Sequence, residues 1–119
     1  MKANYQITPD RSLNLMRVQM EGFFNGDDVQ RFAADYREAL SKIRSPGHLT
    51  MLDIIGMKIQ AQDVAGGFTA LLASPDVRSR KLAFVCGSSL ARLQAQRIAD
   101  RDGVEFFENA KEAEAWLFA

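Results

Sequence analysis

Residues 49–58 (LTMLDIIGMK) constrain the fold more than any other stretch of the chain. They read as a buried strand that carries one acid, Asp53, and stops at a glycine, Gly56. A segment of this kind brings a polar group to the edge of an α/β sheet, where sites are built. Residues 59–63 (IQAQD) then open the next helix and form the rim of any such site. That rim offers Ala61, Gln62 and Asp63, and no serine, threonine, cysteine or histidine.

The rest of the chain is legible around this strand. Residues 4–8 form a short strand ended by the turn signal Pro9-Asp10. Residues 13–20 alternate, with Leu13, Leu15 and Arg17 on one face and Asn14, Met16, Val18 and Met20 on the other. That is a half-buried strand, and the spacing pairs the two as a hairpin. Gly26-Asp27-Asp28 supplies helix-start chemistry. Val29, Phe32, Ala33, Tyr36, Ala39, Leu40 and Ile43 then recur at three- and four-residue steps, and Ser45-Pro46-Gly47 ends that helix. Val64, Ala65, Phe68, Leu71 and Leu72 mark a second helix. It contains Gly66-Gly67, each costing about 1 kcal/mol relative to alanine unless close packing needs it. Residues 81–86 (KLAFVC) are a strand, and Gly87-Ser88-Ser89 opens a third helix carrying Leu90, Leu93 and Ile98. Residues 104–107 are a short strand, and Asn109 caps a last helix reaching Trp116-Leu117. The order β-β-α-β-α-β-α-β-α implies an α/β fold with a mixed, mainly parallel sheet.

Composition narrows the function. The 119 residues suit one domain with its own core. Fifteen Lys+Arg balance fifteen Asp+Glu, and this lack of basic excess argues against a nucleic-acid binder. Zero net charge also weakens mutual repulsion, so a homodimer is compatible with it. A single cysteine, Cys86, and a single histidine, His48, leave no set for a disulfide, a cysteine-rich zinc site or a multi-histidine metal centre. No cofactor or metal is expected. The start of the chain lacks the apolar core of a signal peptide, and no apolar run approaches the roughly 20 residues of a membrane span. The expected setting is cytoplasmic.

Three features carry a resemblance. They are the 53–56 strand end, the strand 82–86 after the basic turn 78–81, and the ending VEFFENAKEAEAWL at 104–117. With the element order, they make the chain resemble the STAS domain of bacterial anti-sigma factor antagonists. The closer likeness is to its SpoIIAA-like group, which is related in architecture to CRAL-TRIO lipid carriers. The resemblance spans nearly the whole chain. It implies one STAS-type domain of about five strands and about four helices, working by protein–protein contact. Signalling members carry a phosphorylatable serine at the start of the helix after the central strand. Here Ala61, Gln62 and Asp63 occupy that place, so the switch residue is missing. Asp63 reads as a first-turn acid that favours the helix start.

Cys86 to Arg92 (CGSSLAR) has the cysteine-five-arginine spacing of a phosphotyrosine phosphatase loop. A thiolate at a strand end, amides at a helix start and an arginine would suit a phosphate. Leu90-Ala91 read as ordinary helix residues, and a buried cysteine followed by a serine cap is the preferred reading. Gly87, Ser88, Ser89 and Arg92 remain an anion-site candidate in a milder form. Asp53 has no partner acid, histidine or nucleophile tied to it by sequence, so no catalytic residue is assigned. His48 reads as a solvated loop histidine, and Arg78, Arg80 and Lys81 as a solvated basic turn. Phe23-Phe24 cannot easily both face inward, so one is expected at the surface. The leading function is therefore a non-enzymatic interaction or regulatory module. The alternative is a carrier for a small apolar or lipid-like ligand, held under the helix at 64–73.

Overall fold

The computed structural model describes residues 2–119 and reproduces the expected element order. Strand β1 (Asn4–Asp10) and strand β2 (Leu15–Gly22) pair antiparallel as a hairpin. Its turn carries Asn14 at φ 51°, a left-handed position that asparagine tolerates. Helix α1 (Gly26–Leu40) follows, then strand β3 (Leu49–Met57), helix α2 (Gln62–Ala73) and a 3₁₀ turn (Pro75–Val77). Strand β4 (Lys81–Val85), helix α3 (Ser89–Ile98), strand β5 (Val104–Phe107) and helix α4 (Ala110–Leu117) complete the chain. The sheet runs β1-β2-β3-β4-β5, with β2 through β5 parallel to one another. It is thus a mixed, mainly parallel sheet of five strands with four helices, as the sequence implies. No helix among the described residues is long and apolar enough to cross a membrane.

Helix starts follow local chemistry. Asn25 accepts from the amide of Asp28 while the Asp28 carboxylate accepts from that of Asn25, a reciprocal cap that fixes where α1 begins. Ser88 and Asn109 cap α3 and α4 in the same sense.

The larger core lies between the sheet and α1, α2 and α3, around Met16, Val18, Phe32, Tyr36, Phe68 and Phe84. A smaller core, with Leu15, Leu49, Met51, Val85 and Leu117, lies under α4 on the other face. This second layer corrects the reading of β2 as half-buried: Leu15 and Met16 point to opposite faces and both are fully buried. Leu13, expected within the strand, is exposed in the turn.

Two further expectations are corrected here. Lys81 is not a solvated turn residue. Its ammonium donates to the carbonyls of Trp116 (2.9 Å) and Ala119 (3.3 Å) and lies 5.0 Å from the centroid of the Trp116 ring. A cation there satisfies the orphan carbonyls at the end of α4. Arg78 and Arg80 stay exposed.

His48 is not a solvated loop residue either; it is fully buried. The amide of Gly47 donates to the carbonyl of Arg78, and that of Arg80 donates to the carbonyl of His48, which folds the two loops over the ring. A buried polar chain runs from Tyr36 to Thr50 (3.3 Å), Thr50 to Ser79 (2.6 Å) and Ser79 to His48 Nε2 (3.4 Å). His48 Nδ1 has no hydrogen-bond partner among the described residues. Burial depresses the imidazole pKa to about 4, so the native ring is neutral. As pH falls below about 6.5, the unfolded chain takes up this proton before the native one does. Stability is therefore expected to be level with respect to this group above pH 6.5. Between about pH 6.5 and pH 5 it is expected to fall by roughly 1.4 kcal/mol per unit. Urea denaturation midpoints across this range read the slope, and His48→Leu should remove most of it. The chain has no other histidine, so the assignment is direct.

Candidate functional site

The carboxyl ends of β2, β3 and β4, with the helix starts that follow them, form the end of the sheet opposite the His48 chain. One residue that the sequence reading passed over organises it. Gln60, between β3 and α2, is buried. Its Nε2 donates to the carbonyl of Gly22 at 2.9 Å and to that of Lys58, and its Oε1 accepts from the amide of Phe24 at 2.8 Å. Its own amide donates to Gln94 Oε1 and its carbonyl accepts from Gln94 Nε2, both at 3.1 Å. One amide side chain therefore ties the end of β2 to the β3–α2 link, and the link to α3. The available signal was a glutamine in an otherwise open connection, with a second glutamine on the neighbouring helix.

With Gln60 turned inward, its neighbour Ile59 is turned outward and is 47% exposed. Two leucines of α3 share this surface. Leu90 and Leu93, which the sequence places on α3, are 67% and 49% exposed. The residues that seat α3 are Ala91 and Ala95, both buried. Small side chains let the helix approach the sheet closely. With Ala91 and Ala95 against the sheet, Leu90 and Leu93 face away from it. Phe23 and Ile55 are also exposed at this end of the sheet, while Phe24 packs edge-on against Phe68, so the Phe23-Phe24 pair divides as expected.

Ile59, Leu90 and Leu93 line a groove of about 690 Å³ between α2 and α3, with Ala65, Gly66 and Arg97. Beneath its floor lies an apolar cavity of about 40 Å³, enclosed by Phe32, Leu52, Phe68, Leu71 and Ala95 among others. Ile59, Gln60, Gln94 and Ile98 belong to both.

The sequence candidates fall around this surface without converging on a reaction centre. Asp53 is half-buried on β3, and its Oδ1 accepts from the amide of Ile55 at 3.0 Å. Gly56 lies opposite Glu21 across a register shift, and a Cβ there would come within 2.9 Å of the Glu21 Cβ. Ala61 is the N-cap of α2 with no side-chain bond, and Ala61, Gln62 and Asp63 are all exposed. Gly87 approaches β3 closely, with a built Cβ 3.2 Å from the carbonyl oxygen of Ile55. Ser88 Oγ accepts from the amide of Ala91 at 3.1 Å, and Ser89 is exposed at the first position of α3. Arg92 lies over the ring of Phe106, 5.7 Å from its centroid.

Cys86 is buried, and burial pushes its thiol pKa up against a weaker downward pull from Arg92. A phosphatase loop needs an accessible thiolate, and this geometry gives the opposite. Among the described residues no group of three or more histidine, cysteine or acidic side chains is placed to hold a metal ion.

No protein-family model matches the chain, and no curated protein matches it. Solved structures do. One is similar over 98% of this chain and 96% of its own, with TM-score 0.75 and 21% identity: an uncharacterised protein of the DUF3478 family with a SpoIIAA-like fold, from Shewanella loihica PV-4. Another, an anti-sigma factor antagonist from Mycobacterium paratuberculosis, aligns over 99% of this chain and 96% of its own, with TM-score 0.66 and 9% identity. Identities this low speak to architecture alone. The element order, the strand order and both alignments agree that the chain is built on the SpoIIAA-like fold of the STAS type.

Proposed function

We propose that this protein is a single-domain, non-enzymatic interaction module, acting in the cytoplasm, that engages a protein partner through the exposed apolar surface at the carboxyl end of its sheet. The observation that carries this reading is the outward display of Ile59, Leu90 and Leu93 in one groove. Apolar side chains gathered in one groove and rimmed by polar ones mark interaction surfaces rather than ordinary exposed hydrophobes. The anti-sigma antagonist with the same fold adds weight by analogy of architecture. Ala61, Gln62 and Asp63 stand where the resemblance places a phosphorylatable serine, so in this reading partner exchange does not run through that switch.

The carrier reading draws less support. Pockets for small ligands span about 300–1,000 Å³, and the enclosed apolar space behind α2 is about 40 Å³. A lipid chain would have to displace α2 from the sheet.

The test is affinity capture from the source lysate with wild-type protein and with Leu90→Ser/Leu93→Ser, alongside native mass spectrometry for self-association. A partner, or a second copy, should be held by the wild type and bound at least about tenfold more weakly by the variant. Both substitutions are on exposed positions, so unfolding midpoints should move by no more than about 0.5 kcal/mol each. A wild type that stays monomeric and recovers nothing overturns the reading, as does capture that ignores the two leucines.

A further inference from the structure

The walls of the α2–α3 groove restrict what can lie in it. Both are helices whose backbone amides and carbonyls are bonded internally, so an extended peptide would find no strand edge to pair with. A helix brings its own backbone bonds already made and needs only side-chain complementarity. The groove supplies three apolar contacts at helical scale: Ile59 on one side, and Leu90 and Leu93, one turn of α3 apart, on the other. Below the floor, the apolar cavity shares four lining residues with the groove. Its volume suits the tip of one inserted side chain, and a lipid tail would not fit.

The residues that line this groove carry a single charge. Arg97 lines it and no acid does. Lys58, next to Ile59, lines the cavity beneath the groove and adds a second cation at this end of the sheet. Neither has an ion-pair partner among the described residues. In a chain with equal numbers of acids and bases, this leaves a local positive rim on an apolar slot. The chain's own acidic helices cannot fill it in a second copy. The apolar stripe of α1 is spent on the larger core and that of α4 on the smaller one.

We propose that the groove between α2 and α3 takes one amphipathic helix from a different protein. Its apolar anchors meet Ile59, Leu90 and Leu93, and its flanking acids meet Lys58 and Arg97. This rests on the interaction reading above and names the chemistry of the partner.

The test is unbiased selection of a displayed library of helical peptides of about 18 residues, five turns. Each carries leucines on one stripe and randomised flanking positions. Wild-type protein should enrich Asp and Glu at the flanks. Lys58→Glu/Arg97→Glu should enrich Lys and Arg instead and bind the wild-type winners at least about tenfold more weakly. Leu90→Ser/Leu93→Ser should enrich nothing. Flanks that do not change sign between wild type and the charge-reversed protein overturn the helix chemistry. If lysate capture still depends on the leucines in that case, the interaction reading survives. Failure to select any helix, with leucine-dependent binding to phosphatidylglycerol vesicles, overturns the proposal and assigns the face to a membrane surface. Failure of both probes overturns it as well.

Discussion

Gly22→Ala is expected to lower folding stability by about 2–4 kcal/mol, read as a drop in the urea midpoint. Two costs act together. Gly22 has φ 83°, a region that an L side chain adopts only with strain of about 1–2 kcal/mol. A Cβ there would also lie 2.2 Å from the carbonyl oxygen of Lys2. Relieving that clash means moving Lys2 away, which gives up its bridge with Phe23 at the head of the sheet. The same glycine presents its carbonyl to Lys58 and Gln60, so the displacement reaches the candidate site. Gly66→Ala provides the contrast. Nothing lies within 4 Å of a Cβ there, and the position is exposed in α2. Alanine should stabilise by about 0.5–1 kcal/mol. Equal effects at the two glycines would remove this account.

Gln60→Ala is expected to cost a further order of about 2–4 kcal/mol when measured alone. It strands the amide of Phe24 and removes a donor from Gly22, both at buried contacts. Gln60→Glu separates the hydrogen bonds from simple packing. A carboxylate keeps the shape and the acceptor but turns a donor into a negative charge facing two carbonyls. That environment raises the native pKa of the introduced acid. Its charge is therefore disfavoured in the fold, and the penalty grows as pH rises past the ordinary value near 4.3. The gap in stability between wild type and Gln60→Glu should be wide at about pH 7 and narrow toward pH 4, where the protonated acid donates again. A gap that does not vary with pH would show that Gln60 acts by volume alone. Both variants should weaken partner binding too, since Gln60 holds Ile59 outward.

The elements of this fold were readable because they obey local rules. The apolar run of β3, the three-and-four stripe of α1, the serine and asparagine caps, and the Pro-Gly punctuation each act within a few residues. The structure agrees with them to within a few positions. The site was less legible. Leu90 and Leu93 mark α3 as a helix, and nothing local says that Ala91 and Ala95 are the residues that seat it. Periodicity shows that a helix has two faces; it does not say which face meets the sheet when the alternative is a pair of small residues.

His48 and Gln60 make the same point with polar groups. Each sits in a connection, where sequence favours solvent, and each is buried because a second loop or helix distant in sequence closes over it. The sequence alone determined the α/β order, the largely parallel sheet, and the lack of a cysteine pair or a multi-histidine set for disulfide or zinc chemistry. Tertiary structure alone decided which apolar residues remain at the surface, how small the cavity beneath them is, and which loop residues become structural. Strand and helix signals depend on neighbours along the chain. Burial depends on what packs from far away.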